Sequence, residues 1–208
     1  MNKLFIIGLP RTGTTSISAA LLEHFKVSHT GYTKRAFELA DVISDCPCFS
    51  DYRQLDVLFP DSKFVYLQRS LVQWLPSIQM LLNKMIPSLN SKAYVNPILK
   101  RSFSQIFDLN TVENPLENNH LTTCYQRHEQ GVIDYFHRRD NILSININQA
   151  DSLPQLLNFL CLPHLGEEQF PHLNIGKLVD NWNDIKHIHK INPNIAGREG
   201  RKFFDYCC

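Results

Sequence analysis

Apolar residues along this chain switch repeatedly between two spacings, and the switches mark a succession of strands and helices. Lys3 to Ile7 is a short apolar run suited to a buried strand, after which Ile17, Ala20, Leu21, Leu22 and Phe25 recur at helical spacing. Phe64 to Leu67 is a second run of the buried-strand type, and a helix-forming stretch over 71–86 follows it. The pattern predicts further helices over 33–40, 52–59, 121–139 and 152–161. Further strands are expected over 27–29 and 142–147, with a short one inside Asp41–Cys46. Strands followed by helices in this order imply an α/β fold of three layers, a central and mainly parallel sheet with helices on both faces.

Two regions complicate that picture. Ser70 followed by Gln73 is a capping-box pattern that starts the 71–86 helix, yet Pro76 then falls beyond its first turn. A proline there is expected to kink or delay the helix, at a cost of up to ~3 kcal/mol. The stretch 87–120, with Pro87, Pro97, Pro115 and the polar run Glu117-Asn118-Asn119-His120, reads as irregular in part. It suits a lid or acceptor-binding insert and equally a surface connection.

Composition sets outer bounds. At 208 residues and 43% hydrophobic, the chain is long enough for one good core, and a single domain over 1–208 is expected. A net charge of +1 shows no bias towards nucleic acid, membranes or acidic partners. The apolar run near Met1 is broken by Pro10-Arg11, too soon for a signal peptide, and no segment approaches the ~20 apolar residues of a membrane span. Cysteines 46, 48, 124, 161, 207 and 208 lack metal or disulfide-framework spacing, which suits reduced thiols in a cytoplasmic protein. No metal motif is visible, and His187 and His189 form an isolated pair on a polar segment.

The chemistry concentrates in Gly8-Leu9-Pro10-Arg11-Thr12-Gly13-Thr14-Thr15, a glycine loop between the first strand and the first helix. A helix opening at Thr14 points backbone N–H groups and the positive end of its dipole at whatever the loop holds, which favours an anion. In the loop of nucleotide hydrolases a lysine follows the second glycine and reaches the outer phosphates. Thr14 stands at that position here, so a terminal triphosphate loses its main cationic partner.

Pro10-Arg11-Thr12-Gly13-Thr14-Thr15 resembles the 5′-phosphosulfate loop of sulfotransferases, which use 3′-phosphoadenosine 5′-phosphosulfate (PAPS) and release adenosine 3′,5′-bisphosphate (PAP). The resemblance implies that Arg11 contacts the sulfate-bearing phosphate and that Thr12, Gly13, Thr14, Thr15 and Ser16 bind its oxygens. Phe64-Val65-Tyr66-Leu67-Gln68-Arg69, with Ser77 on the next helix, is similar to the family's 3′-phosphate motif, which assigns Arg69 and Ser77 to that phosphate. A guanidinium at a strand's carboxyl end suits a dianion without reference to any family. Later stretches are also similar: the helix around Tyr125–His128 leading to a strand at Ile142–Ile147, and the phrase Phe170-Pro171-His172-Leu173-Asn174. Gly197-Arg198-Glu199-Gly200-Arg201-Lys202 lies where many members place a basic loop over the 3′-phosphate, so Arg198 and Arg201 are assigned as contacts. Ser16 stands where cytosolic members have a tryptophan that stacks on adenine, so another surface must hold the base.

Transfer needs a group to take the acceptor's proton. Cytosolic members end a comparable strand in a catalytic histidine, and Ser44-Asp45-Cys46-Pro47 stands in its place. Asp45 is the first candidate and His29 the second; an aspartate needs burial or acceptor contacts to act as a base near neutrality, and Asp45 equally suits a turn ahead of Cys46-Pro47. The resulting expectation is a PAPS-dependent sulfotransferase, needing no metal, that acts on a small-molecule, carbohydrate or other hydroxyl or amine acceptor. A nucleotide or nucleoside kinase and a noncatalytic nucleotide-binding protein are the alternatives. Acceptor identity and oligomeric state are open at this stage.

Overall fold

Alternation within the strands decides how the layers form. The computed structural model describes residues 3–90, 95–164, 169–171 and 181–197. Within them five strands, β1 (Leu4–Ile6), β2 (Val27–His29), β3 (Val42–Ser44), β4 (Lys63–Leu67) and β5 (Ile142–Ile145), form one sheet in the order β2-β3-β1-β4-β5. Every pairing is parallel, with Phe5 opposite both Ile43 and Phe64, and His29 opposite Ser44. The helices are α1 (Thr14–Leu21), α2 (Lys34–Leu39), α3 (Cys48–Leu58), α4 (Leu71–Asn90), α5 (Pro97–Phe107), α6 (Asn118–Tyr135), α7 (Ser152–Phe159) and α8 (Asn181–Asp184).

Successive strand residues point to opposite faces. Leu4, Ile6, Val42, Val65, Leu67 and Ile145 therefore join the buried side chains of α1 and α7 in one cluster. Phe5, Ile7, Ile43, Phe64 and Tyr66 join α2 to α6 in the other. Both faces are covered, as an all-parallel sheet requires. The second face is aromatic: Phe64 meets Phe5 at 5.5 Å and Phe136 at 4.8 Å between ring centroids. The exposed side of β2 is closed by 189–191, where Val27 N donates to His189 O and Ile191 N to Val27 O, each at 2.9 Å. No helix among the described residues is long and apolar enough to cross a membrane.

The expected elements are present, and the differences lie at prolines and ends. α4 runs unbroken from Leu71 to Asn90 through Pro76 and Pro87, so Pro76 does not delay it. Pro76 removes the donor for the Val72 carbonyl, and Val72 is 85% exposed, where water can replace that donor. Within 87–120 the described residues hold more helix than the prolines suggest. Asn96 caps α5 by accepting from Ile98 N, and Pro97 occupies the first helical position, where its missing N–H costs nothing. α3 begins at Cys48, earlier than the expected 52, and bends at Asp51.

Asp51 fixes α5 to α3. Its carboxylate is 1% exposed and receives Arg101 NH1 at 2.9 Å and NH2 at 2.5 Å, while Ser50 Oγ bridges it to Ser102. A buried carboxylate that loses its cation is strongly destabilising, and the partial exposure of Arg101 moderates the effect. Arg101→Ala is expected to lower stability by about 2–3 kcal/mol. A urea midpoint unchanged from the parent would show that the pair does not hold α5.

Candidate active site

Parallel strands present all their carboxyl ends at one edge, and a cleft of about 960 Å³ opens there. β1 ends in the glycine loop. A side chain at Gly8 would bring its Cβ within 2.5 Å of Leu67 Cβ and 2.6 Å of Thr12 Oγ1, so the loop passes tightly over the end of β4. Gly13 has a φ of 110°, and a Cβ there would sit 2.2 Å from Ile147 Cδ1. Gly8 is thus demanded by close approach and Gly13 first by its backbone conformation, with the Ile147 side chain having to give way besides. Thr12 Oγ1 clasps the turn by donating to Leu9 O at 2.6 Å, and Trp74 Nε1 anchors it from outside through Pro10 O at 2.9 Å. The expected contact residue Thr12 therefore serves through its loop position, its hydroxyl being committed to the backbone.

Gly13 caps α1 without a side-chain hydrogen bond, and the first helical bond runs from Ile17 N to Gly13 O. The preceding amides, of Thr14, Thr15 and Ser16, have no carbonyl partner within the helix. All three side chains are buried and line the cleft.

Two cations meet at the loop. Arg11, at a φ of 71°, donates from Nε to Ser77 Oγ at 2.8 Å, and its carbonyl receives Arg69 NH1 at 2.7 Å. Arg69 is held in turn by Tyr125, whose hydroxyl donates to Arg69 O at 2.8 Å. Ser77, expected beside Arg69, is thus bridged to the loop through Arg11. Burial, then the nearby Arg69, lowers the Arg11 pKa from its ordinary value, with Asp45 opposing; burial alone lowers that of Arg69. Arg69 Nε is buried with no hydrogen-bond partner. A buried guanidinium donor left unmatched is costly, and an anion with oxygens to spare would satisfy it.

Opposite the cations, the ends of β2 and β3 bring His29 and Asp45 together. His29 Nε2 lies 4.0 Å from Asp45 Oδ2, and both side chains are largely shielded from solvent. Asp45 Oδ2 accepts from Thr14 Oγ1 at 3.0 Å. His29 Nδ1 contacts Ser44 Oγ at 2.7 Å, its register partner, and Nε2 contacts Thr15 Oγ1 at 3.1 Å.

Counting protons along this chain of hydroxyls assigns the imidazole. Ser18 Oγ can only donate to the Thr14 carbonyl, 2.6 Å away, so it accepts from Ser44 Oγ at 2.7 Å. Ser44 has then spent its one proton and must accept from His29 Nδ1–H. A neutral His29 is therefore protonated at Nδ1, with a basic Nε2 that accepts from Thr15. Asp45 (φ 60°) and Thr30 (φ 73°) line the same cleft as Arg11, and all three hold a left-handed conformation that non-glycine residues seldom adopt. Such outliers concentrate at functional sites.

Several contributors carry no sequence motif: Ser44 and Ser18, which orient His29, and Ile147 and Asn148 beyond β5, which border the loop. A polar residue ending an apolar strand was the available signal for Ser44. Arg198 and Arg201 lie outside the described residues, as do His172–Asn174 and Cys207–Cys208. The remaining thiols near the site are structural: burial pushes Cys46 and Cys48 well up. Among the described residues Asp108, His120 and Cys124 could approach one cation, and they lie away from the cleft, with Asp108 paired to Arg127 at 2.9 Å.

The model of one protein family, described as a sulfotransferase domain, matches residues 24–179, well over half of the chain. The matched span contains His29, Asp45, Arg69 and Ser77 and begins after the glycine loop. No curated protein matches the chain.

Gly13→Ala is expected to cost about 2 kcal/mol or more, from the left-handed φ together with the contact to Ile147. Adding Ile147→Ala should relieve the contact and leave the backbone strain. Full recovery of the melting temperature in the double variant would show that φ is not limiting.

Proposed function

The chain belongs to the sulfotransferase domain family, and from that premise we propose that it moves a sulfuryl group from PAPS to a hydroxyl or amine acceptor, the whole of 1–208 acting as one domain. The observation that carries this reading is the buried, unmatched Nε of Arg69 beside Arg11 at the carboxyl ends of the strands. Two guanidiniums placed that close favour a ligand with two separated anionic groups. In this reading Arg69 and Ser77 hold the 3′-phosphate, while Arg11 and the first-turn amides of α1 hold the 5′-phosphate and stabilise the charge that collects on it as it leaves. The adenine lies against Ile147 and Asn148, the lining that borders the loop where Ser16 offers no ring.

PAPS supplies an electrophilic sulfur. The acceptor oxygen forms a bond to that sulfur, the bond from sulfur to the 5′-phosphate oxygen breaks, and the acceptor proton passes to His29 Nε2. The Ser44–Ser18 chain keeps Nδ1 protonated so that Nε2 is the basic atom. Asp45 stands 4.0 Å away to offset the imidazolium charge. An imidazole is intrinsically the stronger base of the two, so the geometry favours His29 as proton acceptor and Asp45 as its partner, reversing the order expected from sequence. A kinase reading gains no support from the loop, because Thr14 spends its hydroxyl on Asp45.

Calorimetric titration should show binding of PAP in preference to adenosine 5′-phosphate and magnesium-ATP. Preferential binding of magnesium-ATP would replace this reading with a kinase. Arg69→Ala should weaken PAP binding by about 10- to 100-fold, the loss of one or two charge-assisted hydrogen bonds, whereas Arg11→Ala should reduce transfer more than binding. Equal effects on both quantities would undo that division of roles.

His29→Gln is expected to slow transfer by about 100-fold with PAP affinity retained. Asp45→Asn keeps a residue that tolerates φ of 60° and should cost less. A larger loss in Asp45→Asn than in His29→Gln would return the base to Asp45.

A further inference from the structure

The lining that α4 gives to the cleft changes character along the helix. Gln73 and Ser77 face the phosphate-binding end; Met80, Leu81 and Met85 continue the same stripe at helical spacing. From Gln73 to Met85 the helix rises about 18 Å, at 1.5 Å per residue. Leu99 and Phe103 of α5 line the same cleft, as does Tyr32. Among the described residues, the charged side chains that line the cleft, Arg11, His29, Asp45 and Arg69, belong to the loop or to a strand end. Beyond Ser77, the described residues of α4 and α5 that line the cleft are Met80, Leu81, Met85, Leu99 and Phe103, all apolar.

That division constrains what the second substrate can be. A sugar buried there would leave several hydroxyls without hydrogen-bond partners, each a desolvation cost. A molecule with one hydroxyl and an apolar body would leave none: the hydroxyl reaches His29 Nε2 while the body covers the thioethers and the Phe103 ring. Methionines suit such a role, because an unbranched thioether adapts to bodies of different outline. The volume also lies towards the upper end of ordinary ligand pockets, which leaves room for an acceptor beside a nucleotide.

We propose that the acceptor is an uncharged hydroxyl compound with an apolar body, seated between α4 and α5 with its hydroxyl at His29. This rests on the transfer reading above and narrows its acceptor to one class. α5 is then part of the acceptor wall, and Arg101–Asp51 is the tie that holds that wall in place.

A homologous series of 1-butanol, 1-hexanol and 1-octanol, with PAPS as donor, tests the wall directly. The value of kcat/KM should rise by up to about fourfold per methylene, the gain from burying each one, and methyl glucoside should give no detectable product. The double variant Met80→Gln, Met85→Gln should flatten the rise while PAP affinity, measured by calorimetry, stays within twofold. If PAP binds but turnover is independent of chain length, or the glucoside is the better acceptor, the apolar-acceptor inference is overturned and the donor reading stands. If PAP does not bind, the donor reading falls and the inference falls with it. An equally steep rise in the double variant would place the alcohol elsewhere and also overturn it.

Discussion

Five strands running the same way is the constraint on which the rest of this structure depends. A parallel sheet delivers its carboxyl ends to one edge, and here each strand end brings a group to the candidate site: Gly8 after β1, His29 closing β2, Asp45 after β3, Arg69 after β4 and Ile147 after β5. The in-register pairing of His29 with Ser44 and of Ser44 with Ile6 does more than set hydrogen bonds. It places an imidazole beside a hydroxyl whose proton is already spoken for, and so decides which ring nitrogen is basic. A slip of one residue would turn His29 to the other face of the sheet.

The electrostatics follow from the same convergence. Arg11 and Arg69 lie close enough for each to disfavour the charge of the other, in a place where burial also disfavours it. Protein partners offset part of this: Asp45 acts on Arg11, and the Ser77 hydroxyl and the Arg11 carbonyl receive one guanidinium donor each. The buried Arg69 Nε–H has no acceptor. A site that folds with a buried donor unmatched stores a preference for an anion, and that preference contributes to binding when the anion arrives. The left-handed residues Arg11, Thr30 and Asp45 hold the same edge in a shape that α1 and the sheet over-determine.

Much of this was legible in the sequence because it is local. The glycine loop, Arg69 at a strand end and the alternation of strands with helices depend on neighbours within a few residues, and all stand where the pattern placed them. α5 was obscured because Pro87, Pro97 and Pro115 read as breaks, although Asn96-Pro97 is a helix start by capping and by the missing N–H. Pro76 was expected to kink or delay α4, and the helix nevertheless starts at Leu71, because the carbonyl it deprives belongs to an exposed residue. Ser18, Ser44 and Ile147 could not be found by any motif. Their roles come from register and from the approach of β5 to the loop, which are properties of the assembled sheet.

The absent lysine and the displaced base can be understood as a single change. With threonine at position 14, a neutral hydroxyl reaches Asp45 and holds its carboxylate within 4.0 Å of His29. A lysine at that position would bring an ammonium to the same carboxylate, pair with it and remove its influence on the imidazole. The two guanidiniums instead sit on the far side of the loop, where Arg11 spans from the glycine turn to Ser77 on α4. In the proposed reading, cationic stabilisation and proton acceptance thereby fall to different strand ends of one cleft. That separation would suit the proposed transfer of a group bearing little charge, with the positive side chains towards the oxygen that leaves and the basic nitrogen towards the oxygen that arrives.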